Sequence, residues 1–435
     1  MSLNGPFTFA TLILVKPTGS DSNSQQNSRA GNGRSSTLIL ERCQIWLEKL
    51  LYWGNAFTSS RMWVAKTTVL CIFISIFITG GFGVQWLKDG YSPAYYEKIE
   101  HPLKDLTLEY GPGTHEEKLN NRLTVPVVLH VLGLHAHWTL PAMTILAEAA
   151  IILLSCVLTH QITGSRLIAL FMTLEVSSTC AGSFAVICFY DAVALALVAL
   201  ALLRGIPWYL RAVFVFAAAF TDERGLLAAL FVFPLYANFS DQGSGRWRGM
   251  INRDTVAAGM AMFFYVLVRI WLHFEMGLKT SFKGFGPGTF ANHIPHWHAG
   301  LFFALEGGWL LVFFALVSLC LRKQYLRLLT FLVPLLGILF GSFLDGDLLR
   351  STMFAFPAIF VALQILREHE TDLSLTYYAV IAFFTSVLAG NYNIYLDEIT
   401  WFMPLPVYLF HISFTSLVLW IKARVGWHDA IPQNH

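Results

Sequence analysis

Apolar runs of membrane-span length recur from residue 63 to residue 421, and they leave the chain few ways to fold. Inside hydrocarbon each backbone N–H and C=O must find a partner within the protein, so such runs form helices. They fit at about 63–86, 138–159, 167–189, 191–204, 207–221, 224–238, 255–276, 300–321, 327–343, 350–366, 374–391 and 401–421. The expected fold is all-α, a polytopic transmembrane helical bundle of about twelve spans. Composition agrees: 13% of the residues are charged, about half the ~25% of a soluble domain. A net charge of +2 offers no basic field for nucleic acid. Cys43 precedes the first span and the other cysteines lie in apolar runs, so no disulfide framework or metal-type Cys spacing is expected.

The chain divides into a cytoplasmic tail with an interfacial helix (1–60), a transmembrane domain (61–425) and a short cytoplasmic C-terminal tail (426–435). Residues 18–37 are rich in Ser, Asn, Gln and Gly and read as disordered. Residues 38–53 read as an amphipathic helix, lying in the interface or packed on the bundle. Residues 7–15 are apolar without a basic n-region, so no cleaved signal peptide is expected.

Loop charge orients the bundle. Arg29, Arg34, Arg42, Lys49 and Arg61 precede the first span and place the N-terminus inside. The loops that follow on that side carry Arg166, Arg204, Arg246, Arg253, Arg322, Arg327, Arg367 and Lys422. The opposite turns hold Asp89, Asp191, Asp222 with Glu223, Asp345 with Asp347, and Asp397 with Glu398. Both termini are therefore expected in the cytoplasm. Residues 87–125 then form a long non-cytoplasmic loop with interfacial helices. Residues 125–137 are apolar but too short to cross, and read as a re-entrant or interfacial segment.

Residues 207–238 are apolar nearly throughout, yet carry Thr221-Asp222-Glu223-Arg224-Gly225 at their centre. One straight helix would be about 48 Å long against ~30 Å of hydrocarbon. The stretch therefore reads as a helical hairpin with its turn at 222–225, below the membrane surface. Acids buried in a membrane face a watered cavity or a partner, because an unpaired one is costly there. Asp191, Asp345, Asp347 and Arg350 open neighbouring spans on the same side, and Arg269 and His273 share one helix face near it. The plainer alternative for each is a solvated charge at a helix end. Glu148 and Glu175 fall in mid-span. His293, His296 and His298 are weak candidates for a divalent metal, since imidazole is a common ligand but no carboxylate is adjacent. No cofactor is otherwise expected.

On these residues the chain, over roughly 63–367, resembles the GT-C superfamily of membrane glycosyltransferases, which use polyprenyl-phosphate-linked sugars. Lys88-Asp89-Gly90-Tyr91 and the loop to Arg122 match the family's acid after the first span. Thr221-Asp222-Glu223-Arg224 matches a second acidic turn, and Asp347-Leu348-Leu349-Arg350 a basic helix start. Asp89 is followed by Gly90 and Tyr91, so the paired-acid motif of metal-dependent members is not matched, and no large C-terminal soluble domain is expected.

The resemblance implies transfer of a sugar from a lipid-phosphate donor to a lipid, glycan or protein acceptor on the non-cytoplasmic face, with inversion. It implies Asp89 as general base, with Asp222 and Glu223 as further catalytic residues. Arg350, Arg269 and Arg224 are the implied binders of donor phosphate. Tyr91, Asp191, Asp345, Asp347 and His273 would line the cavity. The bacterial inner membrane is preferred to the endoplasmic reticulum. Two rival classes remain: a secondary transporter or flippase, and an O-antigen-type polymerase or ligase. The absence of a GxGxxG or P-loop pattern gives no support to a soluble nucleotide reaction.

Overall fold

A computed structural model of the chain describes residues 30–89, 93–104, 119–182, 190–237, 248–278, 286–390, 392–395, 398–401 and 404–425. For 80–89 the description covers the backbone alone, and Tyr91 and Asp397 lie outside the described residues.

The first helix, α1 (Ala30–Thr58), begins inside the stretch expected to be disordered. It packs on the bundle: Trp46 meets Phe384 edge-on at 5.2 Å, and a Cβ on Gly54 would stand 2.6 Å from Leu167 Cδ1. The next helices are α2 (Trp63–Asp89), α3 (Pro93–Glu100) and the short α4 (Thr124–Val131), which falls in the segment read as too short to cross. The apolar helix α5 (Thr139–Thr163) ends where Gly164 takes φ 71°. Glycine adopts this left-handed cap without a Cβ penalty. Ser165 then caps α6 (Arg166–Ser178) by accepting the Ile168 N–H at 3.3 Å. A short 3-10 turn, Cys180–Gly182, follows.

The hairpin stretch breaks where its acids stand: α7 (Asp191–Leu202) is followed by α8 (Trp208–Thr221), and Asp222 is extended at φ −155°. The returning arm is not one helix. It divides into α9 (Glu223–Ala229) and α10 (Val232–Tyr236). Next comes α11 (Arg253–Met276), opened by an Asn252–Thr255 capping box.

The expected span at 300–321 is also broken. Here α12 (Pro287–His293) leads into α13 (Trp297–Leu305), and the segment Gly288–Leu305 meets α14 (Gly308–Leu321) at 92°. The chain continues through α15 (Tyr325–Leu344), α16 (Leu348–Thr352), α17 (Pro357–Arg367) and α18 (Asp372–Ala389). The chain is helical nearly throughout, as expected; a short two-stranded antiparallel hairpin, β1 (Tyr392–Tyr395) with β2 (Glu398–Trp401), precedes α19 (Leu405–Val425).

Among the described residues five helical segments are long and apolar enough to cross a membrane: α5, α11, α15, the α16–α17 unit Leu348–Arg367, and α18. The bent α13–α14 pair makes a sixth if it is one span. The chain is thus a polytopic helical membrane protein. Residues 63–79, α7, α8 and 405–420 are apolar but shorter. The Leu348–Arg367 unit is 89% buried, against 33% for α11 and α15. It stands in the middle of the bundle, and the other two turn apolar faces outward as lipid-facing helices do. The helix ends away from Asp191 and Asp222 are tied by ion pairs: Arg211 to Asp254, Arg327 to Glu368 at 2.5 Å, and Arg367 to Asp372.

The bend at Glu306 rests on two glycines. A Cβ on Gly307 would lie 1.9 Å from the Ala382 carbonyl oxygen, and one on Gly308 2.7 Å from Ile359 Cδ1. At Gly307 the obstacle is backbone, which cannot swing aside. Gly307→Ala should therefore lower the detergent-solubilised melting temperature clearly, by the ~1–3 kcal/mol typical of overpacking. Gly337→Ala, where nothing lies within 4 Å, is the control and should change little. Equal melting curves for the two variants would contradict the close packing at the bend.

Candidate functional site

Of the acids expected on one face, five come together. Asp191 begins α7, Asp222 and Glu223 occupy the α8–α9 turn, and Asp345 and Asp347 bracket the α15–α16 turn. Between them run three arginines. Local geometry sets two of these. Asp222 Oδ1 accepts the Arg224 N–H at 3.0 Å, and Asp347 Oδ1 accepts the Arg350 N–H at 3.1 Å. Each acid caps the helix that carries its arginine and then also holds that arginine's guanidinium.

Arg224 grips Asp222 with two bonds, Nε to Oδ1 at 2.7 Å and Nη2 to Oδ2 at 2.9 Å. Its Nη2 also donates to Asp191 Oδ1 at 2.7 Å and its Nη1 to Ser351 Oγ at 2.9 Å. Arg350 donates to Asp191 Oδ2 from Nε at 2.9 Å and Nη2 at 2.5 Å, and to Asp347 Oδ2 from Nη1 at 3.0 Å. Asp191 is therefore shared by two guanidiniums. Ser351 donates to Asp345 Oδ2 at 2.6 Å, and Phe354 lies under Arg224 with its ring centre 4.8 Å away.

The third arginine, Arg122, was not among the residues singled out in the sequence. It stands just before α4, which is hung on α8 by a Thr124 hydroxyl bond to the Ala217 carbonyl at 2.8 Å. Leu123 packs with Ala219 and Phe220. This attachment puts Arg122 Nη2 2.6 Å from Asp222 Oδ2 and Nε 3.9 Å from Glu223 Oε2. Arg122 thus latches the chain just before α4 to the α8–α9 turn.

Burial divides the acids. Asp191 and Asp222 have fully buried side chains, while 41% of the Glu223 side chain is exposed. Asp222 orients two arginines from within, whereas Glu223 carries the accessible carboxylate. Five carboxyls face three guanidiniums among the described residues, so the site is acid-rich. Buried charges of this kind are tolerated when paired and hydrogen-bonded.

The remaining candidates lie elsewhere or further out. Arg269 stacks over Tyr265 at 5.8 Å, and Tyr265 packs edge-on against Phe220 at 4.7 Å, one layer from Asp222. His273 is exposed and bonds through Nδ1 to the Leu278 carbonyl at 2.7 Å, closing the end of α11. Asp89 ends the α2 backbone, and its side chain lies outside the description. His293 is buried, with Nε2 2.7 Å from the Asp345 carbonyl, so it supports the acidic turn. Among the described residues no group of three or more His, Cys, Asp and Glu is arranged to hold a metal ion. Glu148 is buried beside the network, where its charge meets that of Asp191.

No family model, curated protein or solved structure matches the chain.

Proposed function

We propose that the protein is an integral-membrane glycosyltransferase that moves a sugar from a polyprenyl-phosphate donor to an acceptor on the non-cytoplasmic face. The observation that carries this reading is the network of Arg122, Arg224 and Arg350 with Asp191 and Asp222, opening onto the exposed Glu223. Group transfer from a phosphate ester needs cationic stabilisation of the leaving group and a base for the incoming hydroxyl. Guanidinium suits the first task, since it stays charged and binds phosphate oxygens through two N–H groups at once. Carboxylates on both sides hold Arg224 and Arg350 in fixed orientations, which keeps them preorganised. A lipid-borne donor reaches such a recess sideways from the bilayer, where a soluble one would not.

The reading includes about twelve membrane-embedded segments, both termini in the cytoplasm, and the bacterial inner membrane as location. The long helices cross. The shorter α7, α8 and α9, at about 1.5 Å per residue, fall short of the ~30 Å core and line the recess.

The test is transfer by purified protein in nanodiscs, using a panel of polyprenyl-phosphate hexoses and pentoses. Glu223→Gln should lower turnover with the melting temperature preserved. Asp222→Asn should lower both, because two arginines lose their buried partner. No transfer with any donor of the panel, or equal effects of the two variants on stability, would count against the reading.

One observation favours a second reading, a secondary transporter. The α13–α14 break carries Glu306 inside the bundle, and broken helices with interior charges are what transporters use for substrate and ion sites. Uptake into vesicles without any lipid-linked sugar would decide for it.

A further inference from the structure

A second group of acids lies at the α13–α14 break. Glu306 occupies the break and is 1% exposed, and Glu175 on α6 is fully buried. They are close neighbours. A Cβ on Gly308, two residues past Glu306, would stand 2.9 Å from Glu175 Oε1, and the charges of the two carboxyls act on each other. None of the four carboxyl oxygens has a hydrogen-bond partner. The Gly308 amide approaches Glu175 and the Ser386 hydroxyl approaches Glu306, each short of a full hydrogen bond. Ser386 Oγ itself accepts the Gly307 N–H at 3.0 Å.

Among the described residues no cation contacts either acid. The ionisable groups that face Glu306 are Glu175 from α6 and Cys180 from the 3-10 turn, and around Cys180 stand Glu148, Asp347 and Arg350. Two ionised carboxylates here would be adjacent, desolvated and without a counter-charge, an arrangement that proteins avoid. One proton removes a charge and at the same time supplies the missing donor. The backbone adds a second constraint: Glu306 sits at φ 44°, a left-handed conformation unusual for a residue with a side chain, and is held there by the close packing of Gly307.

We propose that Glu175 and Glu306 form a proton-binding site within the membrane, sharing a proton across the break in the span. Protonation is then coupled to packing. Releasing the proton puts two like charges side by side at the point where the helix turns.

Infrared spectroscopy of the purified protein in nanodiscs at neutral pH tests this. A protonated-carboxyl C=O band that shifts in D2O should be present. Part of it should vanish in the Glu175→Gln/Glu306→Gln double variant, and the band should shift in each single variant. Other buried acids absorb in the same region, so only the part that responds to these substitutions counts. If the double variant does not insert, Glu175→Gln alone decides, because Glu306 then loses its acceptor and its band must move. A band unchanged by every inserted variant overturns the proposal. So does a wild-type spectrum without a protonated carboxyl, including the case in which stoichiometric sodium is found bound instead.

Discussion

Asp191→Asn is expected to be among the most damaging single substitutions in this chain. Its carboxylate is fully buried and takes three bonds from two guanidiniums, Arg224 and Arg350. Asparagine keeps the shape but removes a charge to which both arginines are directly bonded. Removing one member of a buried ion pair costs about 3–5 kcal/mol, because the partner stays behind uncompensated. Here two partners stay behind, although Asp222 and Asp347 retain a hold on them. The protein should solubilise in lower yield, and its melting temperature should fall further than that of any exposed-acid variant such as Glu223→Gln. Adding Arg350→Met should recover part of the loss, since it withdraws one of the stranded charges. A melting temperature matching wild type would mean that the network does not exist in the membrane as described. An Arg350→Met addition that makes matters worse would mean that Asp347, not Asp191, is the main partner of Arg350.

Much of this site could be read from residue types alone, because charge is conspicuous against an apolar background. Asp191, Asp222, Glu223, Arg224, Asp345, Asp347 and Arg350 all interrupt or border long apolar runs, and the topology set by loop charge put them on one side. Arg122 was hidden for the opposite reason. It ends a polar loop, where a base is unremarkable, and only its position two residues before the apolar α4 hinted at burial. The partition of roles between neighbours was not legible either. Asp222 and Glu223 are equivalent as letters, and only the extended backbone at Asp222 turns one inward and leaves the other exposed. The break at Glu306 had a signal that apolar continuity outweighed: an acid followed by Gly307 and Gly308 is turn-like punctuation even inside a hydrophobic run. The split between α9 and α10 likewise has Pro234 nearby, which cannot donate in a helix interior.

Asp89→Asn should lower turnover by about 10²–10⁴-fold, the usual worth of a general base, while leaving stability almost unchanged. The contrast with Asp191 follows from position. Asp89 is the last residue of α2, a helix of 27 residues. At 1.5 Å per residue it runs about 40 Å, more than the ~30 Å of hydrocarbon, so its end reaches a membrane surface. Pro93 opens α3, and Tyr95 on α3 packs edge-on against Tyr190 at 5.4 Å, directly before Asp191. Tyr95 is six positions after Asp89, at most about 20 Å of extended chain. Asp89 is thus tethered within reach of the arginines proposed to hold donor phosphate. A carboxylate there can take the proton of an acceptor hydroxyl as it attacks the anomeric carbon, with phosphate leaving from the opposite face and the configuration inverted. The assay is single-turnover transfer by purified Asp89→Asn, with donor-lipid binding and melting temperature measured alongside. Binding and stability should match wild type while transfer collapses. Activity within a few-fold of wild type would make Asp89 an ordinary helix-end charge. A retained anomeric configuration in the wild-type product would remove the direct-displacement mechanism, and with it the need for a base at that position.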